Sequence, residues 1–149
     1  MSNILRVVHE ISVSIGTGKD ADTWTYAPLF AGIESFEESI NGQNQQYFFM
    51  CGQGYAANEV TGLAPQYTVS GKRVYGDAAQ DSICGLKYEV GKARKTSLKL
   101  VCPTAEGKTT TITCDVTILD ISDMGGATTD NVPFSCVIAL DGKPEVTTT

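Results

Sequence analysis

The chain has a single histidine, His9, and no Cys-x-x-Cys pair among its five cysteines. One imidazole cannot build a His-rich metal site, and no neighbouring nucleophile waits for it to act as a base. The cysteines, at 51, 84, 102, 114 and 136, are odd in number and widely spaced. That pattern argues against a disulfide framework and a structural zinc site, and predicts small buried hydrophobes. Charge is scarce at 19%, and basic charge scarcer still, with 11 Lys and Arg against 17 Asp and Glu for a net −6. A sequence-reading nucleic-acid binder leaves a basic patch as its footprint, so the balance argues against that class. No apolar run approaches the roughly 18–20 residues of a membrane helix. The opening MSNILRVVHEIS lacks the basic stretch, apolar core and cleavage site of a secretory leader.

Familiar catalytic patterns are also missing. Gly16-Thr17-Gly18-Lys19-Asp20 has the wrong glycine spacing for a phosphate loop, and Asp20 stands where Ser or Thr would hold magnesium. Asp115, Asp120 and Asp123 lack the spacing and central glycine of a calcium loop. Glu37 and Glu38 are neighbours on an extended segment and face opposite ways. No enzyme and no cofactor are expected.

What is present is period-two alternation over a length, 149 residues, that suits one domain. Ile11, Val13 and Ile15 alternate with serines; Trp24–Leu29 and Ile33–Ile40 read as extended; Tyr67 and Val69 begin a strand expected to run past Gly71 to Val74. Leu98, Leu100 and Cys102 share a face, as do Ile112, Cys114, Val116 and Ile118 after an Ala105–Gly107 turn. That turn pairs Cys102 with Thr110 and keeps the Cys102 and Cys114 thiols beyond disulfide reach. A last strand carries Phe134, Cys136, Ile138 and Leu140 on one face. Seven to eight strands predict a β-sandwich or barrel. One flanking helix is expected over about residues 77–90, with Asp77 and Gln80 as a capping-box-like start and Gly91 as its stop.

Two stretches fall outside this core. Residues 41–65 form a long connection holding Tyr47, Phe48, Phe49, Met50 and Tyr55. Connections of that length are usually functional or disordered, and five large apolar side chains argue for packing, either on the domain itself or on a neighbour. Residues 147–149 are expected to be a loose polar tail.

From Val60 the chain reads VTGLAPQYTVSGKRVYGDAAQDSICGLKYEVGKARKTSLKL. The Val-Thr-Gly-x-x-Pro entry, the Ser-Gly-x-Arg-Val strand end, the Gly-Asp-x-Ala-Gln-Asp helix start and the basic strand after it resemble the tail tube (major tail) proteins of bacteriophages with long non-contractile tails. The closing VPFSCVIALDGKPEV fits the same pattern, so the resemblance spans roughly residues 33–145. It implies a virion subunit, assembled in the bacterial cytoplasm, that closes into rings of six and stacks into a hollow tube. DNA would pass through that tube without specific binding. Partners implied are further copies of the chain, a tape-measure protein, a tail tip or distal tail protein and a tail terminator, with no membrane. The 41–65 stretch would be the inter-ring arm, and Glu34, Glu37 and Glu38 the candidates for an acidic lumen that repels phosphate. Two other readings remain open: the inner tube of a contractile tail or injection particle, and a carbohydrate- or surface-binding module using Trp24, Tyr26 and Tyr47.

Overall fold

The computed structural model describes residues 4–149, and it is mainly β, with ten strands and one α-helix among them. The strands are β1 (Ser12–Asp20), β2 (Thr23–Pro28), β3 (Ile33–Ser39), β4 (Gln43–Phe48), β5 (Ala56–Gly62), β6 (Gln66–Lys72), β7 (Lys95–Pro103), β8 (Thr109–Ser122), β9 (Pro133–Leu140) and β10 (Glu145–Thr148). Helix α1 spans Ala78–Cys84.

The main sheet runs β2-β1-β7-β8-β9-β6-β3, with β10 also paired to β8. All of its pairings are antiparallel, and β8 is the hinge of the architecture. Its residues Thr109–Thr117 pair with β7, and its later residues Val116–Ser122 pair with β9. One long strand therefore serves two half-sheets, which fold over a shared core as strong strand twist allows. Val13, Ile15, Leu98 and Leu100 from one half meet Val69, Phe134, Cys136 and Ile138 from the other, all buried. Ala79 and Ile83 of α1 close the core, each 0% exposed.

The expected alternation holds in the late strands. Cys114, Val116 and Ile118 are buried while Asp115 is exposed. Cys102 pairs with Thr110, and the five cysteines are free thiols. Burial pushes the Cys136 thiol up to about 12 and the Cys84 thiol up to about 11, so neither is a thiolate near neutral pH.

Four expectations need correction. The helix is shorter than 77–90: it ends at Gly85, whose N–H still reaches Asp81 O, and Val90 is exposed rather than on the core face. Beyond Gly85 the chain tightens into single turns, with Leu86, Lys87 and Glu89 each donating to the carbonyl three residues back. β6 stops at Lys72 rather than Val74, because the next two amides are bonded elsewhere: Arg73 N–H donates to Val132 O and Val74 N–H to Gln80 Oε1. The capping box is half formed. Asp77 accepts from Gln80 N–H at 3.2 Å, but the Gln80 amide does not return to Asp77. Fully buried, it donates instead to Ala31 O and Lys72 O and so ties α1 to the ends of β3 and β6. The tail is not loose either. β10 includes Thr147 and Thr148, and Thr149 exchanges two backbone bonds with Thr109.

Candidate functional site

The 41–65 stretch is a β-hairpin rather than an irregular loop. β4 and β5 pair only with each other, from Gln43↔Gly62 to Phe48↔Ala56, and form a sheet of their own. The tip is a 3-10 turn at Met50–Gly52 followed by Gln53 and Gly54, both at positive φ (53° and 89°). Positive φ at Gln53 is a mild strain and at Gly54 none, which lets the chain reverse tightly. The base is pinned by Ala64 N–H to Ile40 O and by the Asn41 amide to Ala64 O at 3.0 Å.

Nothing of the subunit covers this arm. All of β4 is exposed, and of β5 only Gly62 is partly covered. Phe48 is 68% exposed, Met50 101% and Tyr55 81%. Tyr47 and Phe49 stack on one another with ring centroids 5.7 Å apart, but they reach no core residue. Residues 40–65 carry one charged side chain, Glu59. An isolated two-stranded hairpin is marginal in water, so one that is nearly neutral and apolar at its tip gains most of its order from whatever covers it.

The three acidic candidates are split by geometry. Glu37 stands opposite Thr68, on the sheet face away from the core, and Glu34 lies 4.0 Å from Lys72 on that same face. Glu38 is opposite Tyr67 on the core side, where its carboxylate accepts the Tyr67 hydroxyl at 2.8 Å. Burial first, and then that carboxylate, push the Tyr67 hydroxyl above its ordinary pKa, so it stays a donor.

Trp24 and Tyr26 do not join Tyr47 in a platform. They are half-buried on β2, with Tyr26 hydroxyl bonded to Ser97 at 2.9 Å, while Tyr47 sits out on the arm. His9 lines an apolar groove of about 320 Å³ along the β1–β3 seam, with Val13, Phe30, Ile33 and Phe36 among its walls. No group of three or more His, Cys, Asp or Glu that could hold a metal occurs among the described residues, and no helix there is long and apolar enough to cross a membrane.

A second cluster, which sequence reading missed, gathers at the far end of the β6–β9 pair. Asp123, 7% exposed, lies between Lys87 Nζ at 2.5 Å and Arg73 Nε at 3.7 Å. Arg73 also pairs with Asp81 at 2.7 Å. The Lys87 hydrogen bond, with help from Cys84 and the Arg73 charge, holds the Asp123 carboxyl below its usual value against the opposing effect of burial. A depressed carboxylate contributes stability that is fully present above its unfolded pKa of about 3.9 and fades as pH falls through the lower folded value. Asp123→Asn should therefore be destabilised most at neutral pH, and its deficit against the parent should shrink below about pH 4. Urea midpoints at neutral and acid pH check this; a deficit that grew on acidification would contradict it.

Together these features define a class: a two-half β domain, capped by one helix, with an uncovered hairpin arm and no assembled reactive centre among the described residues. Known structures share that fold. No protein-family profile matches the chain, and no curated protein sequence matches it. A chain from the tail of an empty gene transfer agent particle, solved with C6 symmetry, superposes with a TM-score of 0.68 at 11% identity, covering 96% of this chain and 99% of that one. A chain of the anti-feeding prophage cap, which terminates the tube of that prophage, gives 0.61 at 13% identity, over 100% and 93%. A chain from the sheath–tube complex of an extracellular contractile injection system, in its extended state, gives 0.60 at 11% identity, over 96% and 91%.

Proposed function

We propose that this chain is a structural subunit of a phage-tail-like tube, built by copies of itself closing into stacked rings. The observation that carries the reading is the arm. A sixth of the molecule is laid out as a hairpin with its aromatic side chains in water, on a fold shared with chains of tail and injection particles. Rings of six are the natural stoichiometry by analogy with the C6 tail. Tyr47, Phe48, Phe49, Met50 and Tyr55 are the inter-ring contacts. In the non-contractile form of the reading, DNA passes through the lumen, and Glu34 and Glu37, which share the sheet face away from the core, are the acids proposed to face it.

The edges of the main sheet support the same view. β2 and β3 each have one unpaired side, and exposed edges recruit other chains unless something closes them. In a ring, each edge meets the next subunit through a head-to-tail contact that closes on itself. The tape-measure, tail-tip and terminator partners remain part of the proposal.

The likeness to chains of a prophage cap and a contractile sheath–tube complex favours a second reading, the inner tube of a contractile particle. A sheath gene beside this one would decide for it. For either reading the direct test is negative-stain electron microscopy of the purified protein at high concentration. Rings or hollow tubes are the expected result; a monodisperse monomer would overturn both.

A further inference from the structure

We infer that the socket for the arm is a tyrosine–methionine platform at the opposite end of the same sheet on another copy of the chain, and this rests on the tube reading above. The register fixes the two ends. β3 begins opposite Gly71 and finishes with Ser39 opposite Gln66, so the arm leaves the sheet where β6 begins. β6 ends with Lys72 opposite Pro133, and the β8–β9 pairing ends with Ser122 opposite Ser135. Arg73 to Tyr75, Asp123 to Met124 and Val132 therefore emerge together at the other end.

There the buried Asp123 organises a surface. It holds Arg73 on one side and Lys87 on the other. The Arg73 guanidinium lies 4.4 Å from the Tyr75 ring centroid, and the Lys87 ammonium 5.1 Å from that of Tyr88. Met124 follows Asp123 in the chain. The two tyrosines are set in place from beneath yet left open, Tyr75 at 68% and Tyr88 at 87% exposed, and Met124 beside them is open at 70%. An apolar surface positioned by a buried ion network is pre-organised for a partner, because little side-chain freedom remains to be lost on contact.

The occupant is a second copy's arm tip for three reasons. First, knob and socket sit at opposite ends of one sheet, so joining them is heterologous and repeats along the strand direction, which stacks subunits instead of capping a dimer. Second, the arm is long enough: at about 3.3 Å per residue, β4 and its tip reach on the order of 25 Å beyond the base. Third, charge permits it. Two −6 chains repel, but the arm brings only Glu59, and at the socket the Arg73 and Lys87 cations are matched by Asp81 and Asp123. The four arm aromatics, 39–81% exposed, and the fully open Met50 offer on the order of 500–700 Å² at about 150–250 Å² per whole aromatic, and with a matching area of socket they pass the roughly 1,000 Å² of a specific interface. The groove along the β1–β3 seam is the competing socket, and it is lined by Phe30, Ile33 and Phe36 rather than by Tyr75, Tyr88 or Met124.

Cys51, exposed at the arm tip, serves as the native probe. Tyr88→Cys is introduced, tubes are grown under mild oxidation, and non-reducing gels are read. A ladder of covalent multimers is expected from Tyr88→Cys, absent from the Tyr88→Cys/Cys51→Ser double variant and from Phe30→Cys, which sits at the groove. In parallel, Tyr75→Asp/Met124→Asp should raise the concentration needed for tubes on the order of 100-fold with thermal unfolding unchanged. Tubes that form without the Tyr88→Cys ladder, or a ladder from Phe30→Cys instead, would overturn the socket while leaving the tube reading intact. A chain that never assembles would overturn both.

Discussion

Replacing Phe48 and Met50 by aspartate is expected to abolish tube growth while leaving the subunit folded. Both side chains are open to water in the single chain, at 68% and 101%, and neither belongs to the core, so the fold loses nothing. At a contact between rings each contributes about 1.5–3 kcal/mol of transfer free energy, and an unpaired carboxylate in its place adds a desolvation cost of its own. A loss of about 3–6 kcal/mol per subunit multiplies the concentration needed for growth by roughly 10²–10⁴, since each 1.4 kcal/mol is tenfold. Sedimentation with electron microscopy reads assembly, and circular dichroism reads folding. Normal tubes from the double variant would remove the arm from the assembly mechanism.

The second large effect is on stability. Gly71→Ala should destabilise the domain by about 3 kcal/mol or more, the top of the range for overpacking. A Cβ there would lie 2.2 Å from Gly32 O and 2.8 Å from Glu34 N and Ile33 Cα. All three are backbone atoms, so no side chain can turn aside. Relief would require β3 to move off β6 at the bulge between Ile33 and Ser35, breaking the Lys72 N–H to Gly32 O bond of 2.7 Å. The same movement would disturb the carbonyls that Gln80 holds, and with them the seat of α1. Gly18→Ala is the matched control, because nothing lies within 4 Å of a Cβ at that position. Urea unfolding at constant m-value measures the difference; equal midpoints for the two variants would contradict the close-approach account.

The arm and the carboxylates of β3 mark where sequence reading succeeds and where it stops. The aromatic run at 47–50 was visible as an excess of apolar side chains in a polar connection. Its hairpin form was not, because Gln43-Asn44-Gln45-Gln46 shows no alternation. Alternation records burial of one face, and within the subunit neither face of this hairpin is buried. The carboxylates illustrate a related limit. Period two separates Glu37 from Glu38 correctly, but the bulge between Ile33 and Ser35 shifts the phase and brings Glu34 to the side of Glu37.

The amino-acid sequence by itself determined that the domain is mainly β with one helix started by Asp77, that its thiols stay unpaired, and that 41–65 must find cover. Each of those follows from local pattern: alternation, a capping side chain, spacing, and apolar surface without a core beneath it. The tertiary structure alone decided that β8 serves two half-sheets, that Gln80 braces three elements, and that Arg73, Lys87 and Asp123 meet beneath Tyr75 and Tyr88. The physical reason is that these contacts join segments far apart along the chain, and no periodicity or motif in one segment records which distant segment will lie against it.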